Sequence, residues 1–267
     1  MTSEPHLVVT EVSKRFSGVQ ALERASLSVR RGSITSLIGP NGAGKSTLFD
    51  IITGFESPDS GHIEFGGRRI TGLPAYRIAR LGLIRTFQMT KVLTKLSVID
   101  NLCLAAKSHP GERLSDLIWR PKAGRTTERR VARKAEEMLA LFRLEAVAGD
   151  YAGTLSGGQR KLLEFARALM AEPELIMLDE PLAGINPTLR RELLGYMQQL
   201  RDSTGRTFFF VEHDMSAVMS VSDQIWVMSN GRVIAEGAPM VVRQNQAVVD
   251  AYLGARRGPG PTLQELR

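Results

Sequence analysis

A glycine-rich segment of eight residues has the spacing that points most directly to chemistry. Residues 39–46 read Gly-Pro-Asn-Gly-Ala-Gly-Lys-Ser and fit the pattern G-x-x-x-x-G-K-[ST] without a mismatch. Glycines let backbone N–H groups converge on phosphate oxygens, and a following helix directs its positive N-terminal end at the same anion. Lys45 can reach the β- and γ-phosphates of a nucleotide, and the Ser46 hydroxyl can bind Mg²⁺. We therefore predict a phosphate loop with these nucleotide-binding residues: Gly39, Pro40, Asn41, Gly42, Ala43, Gly44, Lys45, Ser46 and Thr47.

Two acidic residues follow a second apolar run. Residues 175–180 read Leu-Ile-Met-Leu-Asp-Glu, which places Asp179 and Glu180 at the C-terminal end of a predicted buried strand. Ligands bind at that end of parallel sheets. We expect Asp179 to hold Mg²⁺ through water, and Glu180 to orient or deprotonate an attacking water. Two solvated acids at a strand end are the alternative, which the preceding apolar run and the following Pro181 make weaker.

A second glycine-rich segment, Leu-Ser-Gly-Gly-Gln at 155–159, precedes another predicted helix. Ser156 and Gln159 have the S-x-x-Q spacing of a capping box, so the segment could simply begin a helix. A capping box does not require Gly157 and Gly158, however, and glycines at a helix N-terminus let a phosphate approach closely. Because one chain needs only one phosphate loop, this segment could serve the nucleotide held by a partner chain.

With these motifs the chain resembles the ATP-binding-cassette ATPases over nearly its whole length. The resemblance implies a P-loop, RecA-like α/β ATPase core with an antiparallel β subdomain and a helical insert, using ATP and Mg²⁺. It also implies that residues 155–159 close over the γ-phosphate bound to the opposite subunit. Two ATP molecules would then be held between two cassettes, the second being the same or a paralogous chain.

The same resemblance assigns roles to side chains outside the glycine-rich segments. Gln88, in Arg-Thr-Phe-Gln, matches the glutamine that touches Mg²⁺ and the attacking water and senses the membrane partner. His213, in Val-Glu-His-Asp, matches the histidine near the γ-phosphate, and Phe16 matches the aromatic residue that stacks on adenine. Asn186 is a departure, since many members have aspartate there. Asn still donates and accepts hydrogen bonds, so a working interface is expected.

Several stretches resemble, more narrowly, the ATPase subunits of branched-chain amino acid importers: residues 85–88, 183–187, 212–215, 234–237 and 249–254. That likeness implies two membrane permease subunits, an external substrate-binding protein as an indirect partner, and a peripheral position on the cytoplasmic face of the inner membrane. Importers of urea, amides or other small polar solutes share much of the pattern and remain an alternative. A cassette ATPase acting on nucleic acid is disfavoured, because the chain has one cassette and no sustained heptads. A nucleotide kinase or GTPase does not explain residues 156–159.

Alternating strands and helices must position these residues. Strands are predicted at 7–12, 25–29, 34–38, 175–178 and 208–211, and a hairpin around Asn230-Gly231 joins 225–228 to 233–235. Helices are predicted at 47–52 and 132–144, within a mostly helical region from 74 to about 149. The pattern indicates one domain over 1–267. Its parts are a core with a β layer at 1–89 and 155–255, a helical subdomain at 90–154, and a mobile tail at 256–267.

The composition limits the classes of protein to which the chain can belong. The chain has 267 residues, 43% hydrophobic and 24% charged, which is ordinary for a globular protein. No apolar run of about 18 residues or secretion signal is visible. Cys103 is the only cysteine, so no intrachain disulfide is possible, and we expect it to be buried. The net charge of +7 is concentrated in Arg120, Lys122, Arg125, Arg129, Arg130, Arg133 and Lys134. A solvated helix face is favoured there over an anionic membrane or nucleic acid contact, because glutamates interleave with the cations.

Overall fold

The computed structural model describes residues 5–86, 92–107 and 121–254, with the backbone alone at 121–125 and 253–254. The chain divides into two compact units. The first comprises Met1–Leu81, Met177–Pro181 and Leu194–Arg267, and the second comprises Gly82–Ile176 and Leu182–Leu193.

An antiparallel sheet forms one layer of the first unit. Its strands run in the order β2-β1-β4-β5, with bounds β1 Pro5–Phe16, β2 Val19–Arg30, β4 Ser60–Phe65 and β5 Arg68–Arg69. Leu7, Val9 and Ile63 are buried, and in the β1–β4 pair Val9 lies opposite Ile63. The predicted antiparallel β layer is therefore present.

A mostly parallel sheet forms the other layer. Its strands in this unit are ordered β10-β9-β3-β8-β7, with β3 parallel to both β8 and β9, and β10 antiparallel to β9. Their bounds are β3 Ile34–Ile38, β7 Leu175–Asp179, β8 Thr207–Val211, β9 Gln224–Ser229 and β10 Arg232–Gly237. Every residue of β3, β7 and β8 is buried, as expected for strands covered on both faces.

Helices of the first unit flank these strands along the chain: α1 Lys45–Ile52, α2 Ala75–Arg80, α7 Met215–Val221, α8 Pro239–Arg243 and α9 Gln246–Gly254. The second unit contains β6 Leu83–Thr86, α3 Val98–Leu104, α4 Pro121–Leu141 and α5 Gly157–Met170. It also contains two 3-10 turns, Glu145–Val147 and Ala152–Thr154. Helix α6, Pro187–Thr204, begins in the second unit and ends in the first.

The hairpin prediction is confirmed, and two other expectations need correction. Asn230 and Gly231 have φ values of 48° and 76°, the left-handed pair that a two-residue type I′ turn requires. The helix predicted at 132–144 instead spans Pro121–Leu141. Its start was missed because the basic first half of the helix has no apolar repeat that would indicate a helix in the sequence. Strand β6 lies within the region expected to be helical. Only one of its four residues is buried and the other three are half-buried. The apolar pattern in the sequence is therefore too short to predict a strand.

The remaining expectations concern single residues and the termini. Cys103 is half-buried, not fully buried, because it lies on the side of α3 that only partly faces the interior. Three residues of the predicted solvated face, Arg129, Arg130 and Arg133, are exposed. Lys134 is half-buried instead, and its Nζ donates to Glu172 Oε1 at 2.6 Å. The other three members of the predicted face, Arg120 and the side chains of Lys122 and Arg125, lie outside the described residues. None of the helices in the described ranges is both long and apolar enough to cross a bilayer. The predicted tail, 256–267, lies outside the described residues.

Candidate functional site

The phosphate loop, residues 39–47, joins β3 to α1 as predicted, and its glycines are required by space and by backbone angle. A Cβ added to Gly39 would lie 2.1 Å from the Met228 carbonyl oxygen, and one added to Gly44 would lie 2.5 Å from the Ala21 oxygen. Gly44, with φ 96°, is the N-cap of α1, and no side chain caps this helix. The first turn of α1 therefore presents its backbone N–H groups without a side-chain acceptor, as an anion site requires.

Lys45 is held against the backbone of the same loop. The residue is 6% exposed, and its Nζ donates to the carbonyl oxygens of Gly39 at 2.8 Å and Pro40 at 2.9 Å. Burial lowers the pKa of Lys45, while the negative charges of Glu180 and Asp179 act to raise it. A cation and two carboxylates thus influence one another at the loop.

Asp179 and Glu180 occupy the end of β7, where the sequence predicted them. Asp179 is 5% exposed. Glu180 has φ 49°, a left-handed conformation that costs a non-glycine residue energy, and its N–H donates to the Val211 oxygen at 3.0 Å. That bond ties the residue after β7 to the end of β8. Strained backbone of this kind is concentrated at functional sites, where the surroundings hold it in place.

The side chain of His213 contacts that of Glu180, and the sequence did not predict this contact. Its Nε2 lies 2.7 Å from Glu180 Oε1, and the two side chains are 43% and 27% exposed. With the carboxylate ionised, Nε2–H is the donor. Nothing in the spacing signals this pair, because the partners are 33 positions apart in the chain and only the adjacent ends of β7 and β8 bring them together.

The oxygen atoms near the loop suit Mg²⁺. Ser46 is exposed in the first turn of α1, and Asp179 supplies a carboxylate at the end of β7. Mg²⁺ prefers oxygen ligands, and it commonly takes one or two from the protein and the rest from phosphate and water. The residues present therefore fit the ion, while Gln88, the other predicted ligand, lies outside the described residues.

Phe16 has an accessible ring at the end of β1. It is 42% exposed, and the Lys14 ammonium lies 5.1 Å from the ring centroid. An exposed aromatic face is available for stacking. The cation on this ring is a second feature that the sequence did not reveal.

The signature loop, residues 155–159, lies in the second unit and begins α5. Both bonds of the capping box are present: Gln159 N–H donates to Ser156 Oγ at 3.2 Å, and Ser156 N–H donates to Gln159 Oε1 at 3.0 Å. A Cβ on Gly158 would approach Leu189 Cδ2 to 2.9 Å, whereas one on Gly157 would meet nothing within 4 Å. Packing therefore explains Gly158, and open space in front of Gly157 leaves its backbone approachable.

Asn186, at the position where many family members have aspartate, caps a helix. Its Oδ1 accepts from Leu189 N–H at 2.9 Å, and its carbonyl accepts from Arg190 N–H at 3.0 Å. Asn186 is thus the N-cap of α6, and asparagine caps a helix about as well as aspartate.

A glycine-rich loop between a buried parallel strand and a helix, with two acids at the end of a second strand, defines a P-loop nucleotide-binding ATPase. A family model for ABC transporters matches residues 22–183, and a model for the branched-chain amino acid ATP-binding cassette transporter matches residues 232–257. The chain belongs to the ATP-binding-cassette transporter family, as an ATP-binding subunit.

Full-length relatives agree with this assignment. The chain is 39% identical over 252 residues to the high-affinity branched-chain amino acid transport ATP-binding protein BraF of Pseudomonas aeruginosa, covering 94% of this chain and 99% of that protein. It is 41% identical to the probable transport ATP-binding protein LivG of Archaeoglobus fulgidus, covering 94% and 96%. A crystal structure of the ADP conformation of an ATP-binding cassette of an ABC transporter matches with a TM-score of 0.80 and 36% identity, over 94% of this chain and 100% of that one. The predicted fold and family are confirmed.

Proposed function

We propose that this chain hydrolyses ATP to power a branched-chain amino acid importer. The support is the similarity to transport proteins named for these solutes and the match of residues 232–257 to a model named for the same class. Neither urea or amide import nor action on nucleic acid is favoured by these relatives.

The nucleotide is held first by the phosphate loop. Lys45 exchanges its bonds to the Gly39 and Pro40 carbonyls for bonds to the β- and γ-phosphate oxygens, and the uncapped N–H groups of α1 add a converging positive field. Phe16 stacks on the adenine. Ser46, Asp179 and Gln88 would hold Mg²⁺, which neutralises charge on the phosphates when it is bound.

The single observation that carries the mechanism is the contact between Glu180 and His213. The carboxylate of Glu180 orients a water and accepts its proton as the water oxygen bonds to the γ-phosphorus, while the bond to the ADP oxygen breaks. His213 holds the Glu180 carboxylate by its Nε2–H. From this position it would also contact the γ-phosphate. Because Glu180 N–H is fixed to Val211, the base keeps its position while charge moves.

The signature loop serves the nucleotide of a second cassette. Glycine at 157 and the N-terminal end of α5 suit the approach of a γ-phosphate from another chain, so two cassettes, identical or paralogous, enclose two ATP molecules. ATP binding closes the pair, and hydrolysis reopens it. The chain works at the cytoplasmic face of the inner membrane on two permease subunits, which receive solute from an external binding protein. The helical subdomain at 90–154 is proposed to carry the motion to them.

Glu180→Gln tests the assigned base. The variant should bind ATP and form a stable closed dimer, while turnover falls at least ~100-fold, because proton abstraction is lost and the shape of the side chain is kept. Phosphate release and the ATP-dependent change in mass by size-exclusion chromatography measure the two effects. Glu236→Gln, at an exposed residue of β10, is the matched control and should turn over normally. Normal hydrolysis by Glu180→Gln would reject the role of Glu180.

Transport is tested separately in cells that lack this gene. Wild-type chain should restore uptake of radiolabelled leucine, isoleucine or valine, and Glu180→Gln should not. Restored uptake of urea with no effect on these amino acids would contradict the proposed solute.

A further inference from the structure

The Phe16 ring, assigned above to adenine stacking, lies at the turn of a β hairpin. Strands β1 and β2 are joined by Ser17 and Gly18, with φ values of 45° and 90°, and Phe16 pairs with Val19 at the end of the hairpin. Phe16 is 42% exposed and Val19 is 70% exposed. Because so much of the ring is in solvent, packing alone leaves it rotational freedom, and the cost of ordering such a side chain opposes ligand binding.

Lys14, two residues earlier in β1, restrains this ring. Its ammonium nitrogen lies 5.1 Å from the centroid of the Phe16 ring, within the ~6 Å range of a cation–π contact. The ammonium is itself fixed: it donates to Glu56 Oε1 at 2.7 Å and to the Ser57 carbonyl at 2.8 Å, and Asp59 Oδ1 lies 3.7 Å away. The Lys14 side chain is only 12% exposed, which is rare for a lysine unless it is paired. A held cation therefore lies over one face of the ring.

The carboxylate that holds Lys14 belongs to the turn directly after the phosphate-loop helix α1. The N–H groups of Phe55 and Glu56 donate to the Asp50 carbonyl, in the last turn of α1, at 2.9 Å and 3.3 Å. Glu56 is thus fixed to the helix whose first residue is Lys45, the phosphate-binding cation. Through its contacts with Glu56 and with the ring, Lys14 connects the part of the site assigned to the phosphates with the part assigned to adenine.

Asp59, at the other end of this turn, fixes β1 on both sides of Lys14. Its N–H donates to the Ser13 carbonyl at 2.9 Å, and its Oδ2 accepts from Arg15 N–H at 2.7 Å. Both neighbours of Lys14 along the chain are therefore bonded to one residue of the turn. The position of the ammonium is set by these backbone bonds as well as by its own pairing.

We propose that Lys14 is a positioning residue for the base of the nucleotide: held by Glu56, its ammonium fixes the Phe16 ring so that adenine stacks on the opposite face. The inference rests on the proposed stacking of adenine on Phe16. The faces of aromatic rings carry partial negative charge, so two rings stack better when a cation behind one of them draws that charge away. A ring that is ordered beforehand also costs less to bind. Lys14 would then set the affinity for the base without touching nucleotide.

Lys14→Met removes the ammonium and keeps a long, flexible side chain. The Kd for ATP, measured by calorimetric titration of the full-length protein with Mg²⁺ present, should rise ~3-fold or more, the scale of a lost cation–π contact. KM for ATP should rise in step while kcat at saturating ATP stays near the wild-type value, because the γ-phosphate site is not altered. Lys134→Met, on α4, is the matched control: Lys134 also pairs with a glutamate, Glu172, at 2.6 Å, and its loss should leave the Kd unchanged.

Inorganic tripolyphosphate distinguishes the base from the phosphates. It can occupy the phosphate loop but has no ring to stack on Phe16, so its Kd should be the same for the wild type and Lys14→Met. Lys14→Arg keeps a cation that pairs with carboxylates and lies over aromatic rings, and it should recover most of the lost ATP affinity. An equal loss of affinity for ATP and for tripolyphosphate in Lys14→Met would mean a general disturbance of the site and would overturn the positioning role.

A double-mutant cycle with Phe16→Ala tests whether Lys14 acts through the ring. Phe16→Ala alone should raise the Kd for ATP ~5-fold or more, because stacking of the base on an aromatic ring is lost. In that background Lys14→Met should have no further effect, since no ring is left to position. Additive losses would show that Lys14 acts independently of Phe16, against the inference.

The remaining results separate this inference from the proposed function. Wild-type protein that does not bind ATP would reject the proposed function, and normal ATP binding by Phe16→Ala would reject the stacking on which the inference rests. Weakened binding in Phe16→Ala together with an unchanged Kd in Lys14→Met would remove only the role of Lys14. Should tripolyphosphate bind too weakly to be titrated, the double-mutant cycle alone decides.

Discussion

The phosphate loop and the signature loop are both glycine-rich helix starts, but they satisfy their backbone groups differently. The phosphate loop begins α1 with Gly44, which has no side chain to cap the helix, and its lysine is bonded to loop carbonyls. The signature loop begins α5 with a complete capping box between Ser156 and Gln159. One helix start therefore keeps its N–H groups for a ligand, whereas the other uses some of its own donors to stabilise itself.

Under the proposed function, this difference separates the binding of nucleotide from the closure of the cassette pair. A loop with an uncapped helix and a buried cation gains strong charge-assisted bonds from phosphate and can bind nucleotide in a single chain. A capped helix start has less to offer alone, and only the open face of Gly157 and the Ser156 hydroxyl remain for a phosphate already held elsewhere. Substitutions in the two loops should thus affect different measurements.

Among substitutions in the two loops, Lys45→Ala should have the largest effect, and it should act on nucleotide affinity. Nucleotide affinity is expected to fall at least ~100-fold, because charge-assisted hydrogen bonds to the β- and γ-phosphates are lost. Equilibrium titration with ATP measures it, with Lys95→Ala, on an exposed segment of the second unit, as the control. An unchanged Kd would mean that the loop does not hold the phosphates as described.

Two substitutions of Ser156 distinguish its role as a helix cap from a role in contacting phosphate. Ser156→Ala removes the acceptor for Gln159 N–H and should lower stability by about 1 kcal/mol, whereas Ser156→Asp keeps a good N-cap and should preserve the melting temperature. Both should reduce turnover, and Ser156→Asp the more strongly, roughly tenfold or beyond, because its charge repels a phosphate. ATP affinity of the single chain should remain unchanged. Full turnover by Ser156→Asp would show that this helix start is structural only.

The smallest expected effect concerns the pH dependence of stability and Glu164 on α5. Burial raises the pKa of Glu164 to about 7, against the opposing charges of Lys161 and Arg167. The folded state therefore binds this proton more tightly than the unfolded state, and the contribution of Glu164 to stability declines as the pH rises from about 4.5 to about 7. Since the carboxyl is partly solvated, the loss is on the order of 1 kcal/mol. In thermal melts, the stability of Glu164→Gln relative to the wild type should be greater at pH 8 than at pH 5. An equal difference between variant and wild type at both pH values would contradict the shifted pKa.

Local features of the site were predictable from sequence, while its contacts were not. Residues 39–46 form a loop between β3 and α1 because glycine positions and flanking apolar runs act within a few residues of one another. The left-handed φ of Glu180 and its bond to His213 depend on β7 and β8 ending side by side, which no spacing encodes. The first half of α4 was missed for a related reason: charged residues can form a helix without leaving an apolar repeat in the sequence.

The sequence by itself determined the class of ligand and the family, because phosphate recognition uses backbone N–H groups whose geometry short glycine motifs dictate. It also determined the buried strands, since continuous apolar runs have only the interior to occupy. Only the tertiary structure decided which distant residues meet, such as His213 with Glu180 and Gly231 with Ala43. Those contacts follow from the order of strands in the sheet. That order is an outcome of the whole chain minimising exposed apolar surface together, and not of any one segment.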